Sequence, residues 1–322
     1  MFCSQPFTML DVYHDGSVYT CCADLINFYS IGNIYETPFE EIWNGKKAIA
    51  LREKMLNSDF SLCNELCHRR FVEYPSSVKC EKVMNKYPEE ISVSTDNSCN
   101  VACKICRDKI IAEKFNEKAI KLEIEKHWLP MFKDAKIVRF GCTGEPFFSK
   151  KELLLIKEIA KKYSDVKFRF HTNGIIADER FLKHIGVYER IHSFTVSIHS
   201  ATEKTYKSIV KGGNFRRLQN NLKLYSKMKK EGLLDDFRMV FVVIAENYKE
   251  IPLFAQWAKD LGANVDFWTY RSNATEFGKN LSNFDLTNPL HKEYQNLIEV
   301  LKNPILDEPF VRLYPELKAL RA

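Results

Sequence analysis

The chain of 322 residues is 45% hydrophobic and 28% charged, a usage that closes a sizeable globular core and excludes a disordered tail or a short peptide. Its net charge of +6, from 48 basic against 42 acidic side chains, is spread over Lys-rich helix faces such as Lys157, Lys161 and Lys162, so nucleic acid is not expected as a partner. No apolar run approaches the roughly 20 residues of a membrane span, and Met1-Phe2-Cys3 opens without the basic and apolar regions of a signal peptide. A cytoplasmic protein with reduced thiols is expected, and its ten cysteines become the informative count.

In chain order, residues 1–89 hold six of the ten cysteines, an alternating run turned at Asp15-Gly16 that predicts a hairpin, and a helix over Phe39–Leu56. Glu73–Pro88 reads as a linker. From residue 90 the pattern becomes regular. Strands are predicted at Ile91–Thr95, Ile137–Phe140, Val166–His171, Ser193–Ile198, Met239–Ile244 and Val265–Trp268. Helices are predicted between them at Asp108–Trp128, Lys151–Tyr163, Asp178–Ile185, Asn214–Glu231 and Tyr248–Leu261. This alternation implies an α/β fold on a parallel sheet, whose chemistry sits at the carboxyl ends of the strands. Residues 271–322 add a helix over Leu290–Leu301. The expected domains are 1–89, 90–270 and 271–322.

The strongest motif is Cys99-Asn-Val-Ala-Cys103-Lys-Ile-Cys106, directly after the first strand of the regular region. Structural zinc takes four ligands in two short-spaced pairs, and no second pair lies near. Three close thiolates suit a cubane iron–sulfur cluster, holding three of four irons and leaving one corner open to a small molecule. At the end of the second strand, Gly141-Cys142-Thr143-Gly144-Glu145-Pro146 places a carboxylate able to pair with an ammonium among glycines that allow close backbone approach.

These motifs, with His171-Thr172-Asn173-Gly174 after the third strand and Val196-Ser197-Ile198-His199 after the fourth, resemble the radical S-adenosylmethionine (SAM) superfamily over about residues 90–270. The resemblance implies a partial (β/α)6 barrel that cleaves SAM reductively to a 5′-deoxyadenosyl radical, which removes a hydrogen atom from substrate. It implies that Cys99, Cys103 and Cys106 ligate the SAM-binding 4Fe–4S cluster. It further implies that Thr143, Gly144, Glu145 and Asn173 bind SAM, that Ser197 and His199 meet the ribose hydroxyls, and that Lys211 lies near the SAM carboxylate. Ile105 replaces an aromatic residue common in the family, and His199 replaces an acidic one.

The N-terminal cysteines resemble the auxiliary-cluster module of SPASM and twitch enzymes, down to Ile42-Trp43-Asn44 after the cysteine hairpin. Here the module, a small Cys-rich hairpin plus helix, precedes the barrel. The resemblance implies a second 4Fe–4S cluster on Cys3, Cys21, Cys63 and Cys67, with Cys22 or Cys80 as substitutes and zinc as the alternative occupant. Six cysteines before residue 90 fit the one-cluster version.

Cys142 is either a small packed residue or a hydrogen-atom donor to a substrate radical. The expected reaction is oxidation or epimerisation of a small molecule or carbohydrate, with flavodoxin or ferredoxin as reductant. The alternative is peptide maturation by thioether or carbon–carbon bond formation or by residue epimerisation. An interaction scaffold and an RNA-modifying enzyme are further alternatives.

Overall fold

A computed structural model describes residues 2–64, 67, 79–270 and 285–321. The N-terminal segment forms α1 (Gln5–Thr8), β1 (Met9–Val12), β2 (Ser17–Tyr19), β3 (Gly32–Asn33), α2 (Phe39–Trp43) and α3 (Lys46–Leu56). The repeating region follows as β4 (Glu90–Val93), β5 (Ala102–Cys103), α4 (Glu117–Glu123), β6 (Ile137–Phe140), α5 (Lys150–Lys162), β7 (Lys167–Thr172) and α6 (Glu179–His184). It continues through β8 (Ile191–Ser197), α7 (Glu203–Ile209), β9 (Val210–Lys211), α8 (Phe215–Lys230), β10 (Asp236–Val243), α9 (Ile251–Leu261) and β11 (Asn264–Thr269). The tail adds α10 (Tyr294–Leu301), β12 (Val311–Leu313) and α11 (Pro315–Ala319). No helix among the described residues is long and apolar enough to cross a membrane.

The chain divides into two compact units, one made of Met1–Asn97, Glu113–Gly144 and Ser149–Arg169, the other of Ser98–Ala112, Glu145–Phe148 and Phe170–Ala322. The first therefore continues past residue 89, with the cysteine hairpin joined to the repeating region by the pairing of β1 with β4. Its strand order is β3-β2-β1-β4-β6. β1 lies parallel to β4, and β4 parallel to β6, in one continuous register: Leu10 beside Ile91 beside Val138, then Asp11 beside Ser92 beside Arg139. Successive side chains on a strand point to opposite faces. The apolar row is buried, and the polar row occupies the other face. At the predicted turn Gly16 has φ +83°, and a Cβ there would lie 2.4 Å from Asn33 Oδ1 and from the Tyr35 ring.

The helix expected over Phe39–Leu56 is two helices, interrupted at Asn44-Gly45. Asn44 is occupied in tertiary bonds, donating to Met84 O at 2.9 Å and accepting from Arg52 at 3.2 Å. The second half of the expected linker is thereby anchored, since Trp43 also donates to Lys86 O at 2.8 Å. Its first half, residues 73–78, lies outside the described residues.

In the second unit β8, β10, β11 and β12 are consecutive parallel neighbours. Its core includes Phe147, Phe170, Phe194 and Tyr225, with ring centroids 4.7 Å apart for the first pair and 4.0 Å for the stacked last pair. All six strands predicted in the repeating region are present as β4, β6, β7, β8, β10 and β11.

Two predicted helices begin later than expected. α4 starts at Glu117 instead of Asp108, because Asn116 caps it by accepting from Ala119 N at 3.2 Å. The preceding backbone is used elsewhere: Ile111 exchanges hydrogen bonds with Cys99 at 2.8 and 3.3 Å. The C-terminal helix starts at Tyr294 instead of Leu290, since Asn288 turns the chain by accepting from Leu290 N.

Candidate active site

The loop carrying the cysteine triad is held at several points within the second unit. Cys99 bridges Ile111, and β5 pairs antiparallel with β9, setting Ala102 beside Lys211 and Cys103 beside Val210. The amide of Lys104 donates to Ile209 O at 2.8 Å, and a tight turn brings Cys106 N to 2.8 Å from Cys103 O. Lys104 also pairs with Glu246. Gly212, with φ +83°, lies against this loop: a Cβ there would be 3.4 Å from Asn100 O.

Burial pushes the Cys99 thiol up to about 11, with Arg107 opposing the rise. Burial raises Cys103 as well, assisted by the charges of Cys99 and Cys106 and again opposed by Arg107. Arg107 is itself buried and was not singled out from sequence. Its cation favours the thiolate form that a metal cluster requires. Among the described residues no three of the His, Cys, Asp and Glu side chains are arranged around one metal ion. Cluster thiolates bind separate irons and stand farther apart than ligands of a single zinc, each of which lies about 2.3 Å from the metal.

Glu145 is buried at 1% exposure. Its carboxylate accepts from Thr172 Oγ1 and Asn173 N, each at 2.7 Å, and from Phe147 N at 3.3 Å. Desolvation nevertheless dominates these donors and pushes its pKa up to about 7. No cationic side chain among the described residues pairs with it, so the site is complementary to an incoming ammonium group. Asn173 reaches from the same turn to the cysteine loop, donating to Asn100 Oδ1 at 2.9 Å. The turn requires Gly174, whose φ is +74° and whose Cβ would lie 2.7 Å from Val196 and 2.8 Å from Leu218.

Ser197 ends β8 with its Oγ 2.8 Å from His171 Nε2. His199 is buried with a positive φ of 64°. Its Nδ1 accepts from Val242 N at 3.1 Å, and its backbone oxygen accepts from Asn247 at 2.8 Å. Burial lowers its pKa to about 4, so the ring is neutral. The Val242 bond leaves Nε2 as the nitrogen carrying hydrogen. Tyr206, another residue missed from sequence, is buried with its hydroxyl lacking a hydrogen-bond partner among the described residues. It is close enough to Cys103 and Glu145 for both to affect its acidity. A glycine needed for ring clearance was the available signal: a Cβ on Gly213 would meet the Tyr206 hydroxyl at 2.7 Å.

Cys142 and Thr143 lie in the first unit. Gly141 has φ +94°, and the chain then turns so that Cys142 Sγ is 3.1 Å from Ser92 Oγ and Thr143 Oγ1 donates to Asp96 O at 3.3 Å. Cys142 is exposed, yet the surrounding protein raises its pKa by desolvation. Of the N-terminal set, Cys3, Cys21 and Cys67 are buried, while Cys63 is intermediate, as are the substitutes Cys22 and Cys80. All six belong to the first unit or border residues outside the description.

A strand-end cysteine loop, a buried carboxylate with no counter-cation among the described residues and a largely parallel α/β fold fit an iron–sulfur enzyme that takes a cationic ligand. Residues 93–258 match the radical SAM superfamily and residues 3–69 match the SPASM iron–sulfur cluster-binding domain; the chain belongs to the radical SAM superfamily. Its cofactors are accordingly SAM, the 4Fe–4S cluster that binds it, and auxiliary iron–sulfur centres.

Solved structures with similar folds include TYW1 with a lysine–pyruvate adduct bound, at 17% identity over 64% of this chain and 70% of that one, TM-score 0.39. Another is anSMEcpe with bound AdoMet, at 16% identity over 68% of this chain and 59% of that one, TM-score 0.47. A third is HydG, a maturase of the FeFe-hydrogenase, at 15% identity over 71% and 52%, TM-score 0.37. The chain thus spans between 52% and 70% of the length of these three. No curated protein matches the sequence.

Proposed function

We propose that this enzyme epimerises a small-molecule or carbohydrate substrate, with Cys142 as the residue that returns a hydrogen atom. The observation that carries this reading is the state of that thiol: exposed, hydrogen-bonded to Ser92, and held in its protonated form at neutral pH by desolvation. A thiol retained merely for packing would be enclosed by apolar neighbours.

When bound, SAM and its 4Fe–4S cluster supply the 5′-deoxyadenosyl radical that removes hydrogen from the substrate carbon. In this reading Cys99, Cys103 and Cys106 hold that cluster, and Cys3, Cys21, Cys63 and Cys67 hold the auxiliary one. Glu145 would accept a hydrogen bond from the methionyl ammonium, Lys211 would pair with the carboxylate, and Ser197 and the Nε2–H of His199 would serve the ribose hydroxyls. Thr143, Gly144 and Asn173 would complete the contacts to SAM. Cys142 then gives its S–H hydrogen to the opposite face of the substrate carbon. The C–H bond forms as the S–H bond breaks, and one electron from a ferredoxin or flavodoxin plus one proton restores the thiol.

The test is anaerobic turnover in D2O with SAM, dithionite and panels of sugars, aminocyclitols and peptides, read by mass spectrometry. Epimerisation exchanges the thiol hydrogen with solvent and leaves one deuterium in a product of otherwise unchanged mass. Cys142→Ala is expected to form 5′-deoxyadenosine without deuterated product. Full epimerisation by Cys142→Ala, or loss of two hydrogens from the substrate, would sink the donor role. A cross-linked peptide product would establish the maturase alternative.

A further inference from the structure

The polar row Asp11, Ser92 and Arg139 runs across three adjacent strands of the first unit. Neighbouring strands are about 4.8 Å apart, so these side chains share one face at close range. Cys142, just beyond Arg139 in sequence, bends back onto the row and lies 3.1 Å from Ser92. On the same face Glu90 is taken by Arg169, which donates to its carboxylate at 2.8 Å. Arg139 is the contrast. Cys142 is its strongest electrostatic neighbour, ahead of Cys22, Asp11 and Glu90, yet its side chain makes no hydrogen bond or ion pair with any described residue.

A guanidinium presents five N–H donors in a planar fork that matches a carboxylate with two parallel hydrogen bonds. The surrounding protein partly desolvates this guanidinium, a cost that an arriving anion offsets. The charge around it selects the kind of anion. One cation stands in a row that also contains the buried carboxylate of Asp11, so a monoanion is matched and a phosphate dianion is repelled. We propose that Arg139, flanked by Ser92 and Cys142, is the anchoring subsite for a carboxylate group of the substrate. This rests on the reading of Cys142 as a substrate-facing thiol and narrows that substrate to a carboxylic acid, either a sugar acid or an acidic amino-acid side chain.

Alkylation of Cys142 reads the subsite directly. The anaerobic holoenzyme is treated with iodoacetate or the neutral iodoacetamide, and the rate at Cys142 is followed by peptide mapping. With both reagents the thiolate forms an S–C bond as the reagent's C–I bond breaks and iodide leaves, so their rate ratio cancels the thiolate fraction. The iodoacetate-to-iodoacetamide ratio is expected to be roughly tenfold higher in the wild type than in Arg139→Gln. Arg139→Lys should keep most of that preference, because it keeps the charge.

The wild type alone gives a second arm, which stands even if a variant misfolds. Glucuronate or a glutamate-containing tripeptide should slow alkylation, and whichever does so identifies the source of the carboxylate. Glucose should not protect, and inorganic phosphate should protect less than either carboxylate. An unchanged reagent ratio in Arg139→Gln, equal protection by glucose, or stronger protection by phosphate would overturn the subsite. Formation of 5′-deoxyadenosine by the wild type tests the radical reading separately, since alkylation does not depend on it.

Discussion

At the scale of single residues, Glu145 is the group whose environment most directly predicts behaviour. Its carboxyl is raised from 4.5 to about 7 by burial against three donors that favour ionisation. In the absence of SAM the folded protein therefore holds this proton more tightly than the unfolded chain does. This group's contribution to stability is present below pH 4.5 and is lost as pH rises through about 7. In the proposed role of Glu145 as partner of the SAM ammonium, ligand binding has the opposite dependence, because an ammonium needs the carboxylate. SAM affinity, measured by equilibrium dialysis of the reconstituted protein, should fall by about tenfold per pH unit below 7. Glu145→Gln should weaken binding roughly 10- to 100-fold and abolish this dependence; a slope that persisted in the variant would assign it to another group. His199 works in the other direction. Its pKa is lowered from 6.5 to about 4, so its contribution to stability is retained above 6.5 and lost as pH falls through 4.

At the scale of elements, the cysteine loop is shaped by partners distant in sequence: Ile111, the β9 strand and Asn173. The Thr172-Asn173-Gly174 turn joins two functions, since its Asn173 amide holds Glu145 while its side chain holds Asn100. A Gly174→Ala substitution combines a disfavoured positive φ of 74° with Cβ contacts of 2.7 and 2.8 Å. It should cost about 2–4 kcal/mol in urea unfolding and weaken SAM binding through displacement of Glu145. The location of this turn was legible from sequence, because Thr-Asn-Gly after an apolar strand is recognisable. The helix expected from Asp108 starts only at Glu117, after the Asn116 cap. Helical periodicity cannot report that Ile111 has already given its backbone bonds to Cys99.

At the scale of the whole molecule, the cysteine hairpin is a continuation of the sheet. β1 adds parallel to β4, and Leu10, Val12, Ile91 and Val93 are all fully buried. Removing residues 1–35 would expose the β4 edge with its apolar side chains, so a chain starting at residue 36 is expected to aggregate on expression. In native-state hydrogen exchange the β1 and β4 amides should open together. Independent exchange of β1 and a soluble truncated chain would show that the hairpin is separable. The sequence by itself determined the alternation of strands and helices, the cysteine triad and Glu145, because periodicity and ligand spacing are local properties of the chain. It did not reveal that β1 joins β4, that Arg107 and Tyr206 border the thiols and the carboxylate, or that Asp11, Ser92 and Arg139 form one row. Those relations arise from strand register, which sets side by side residues that lie far apart along the chain, and only the tertiary structure decides it.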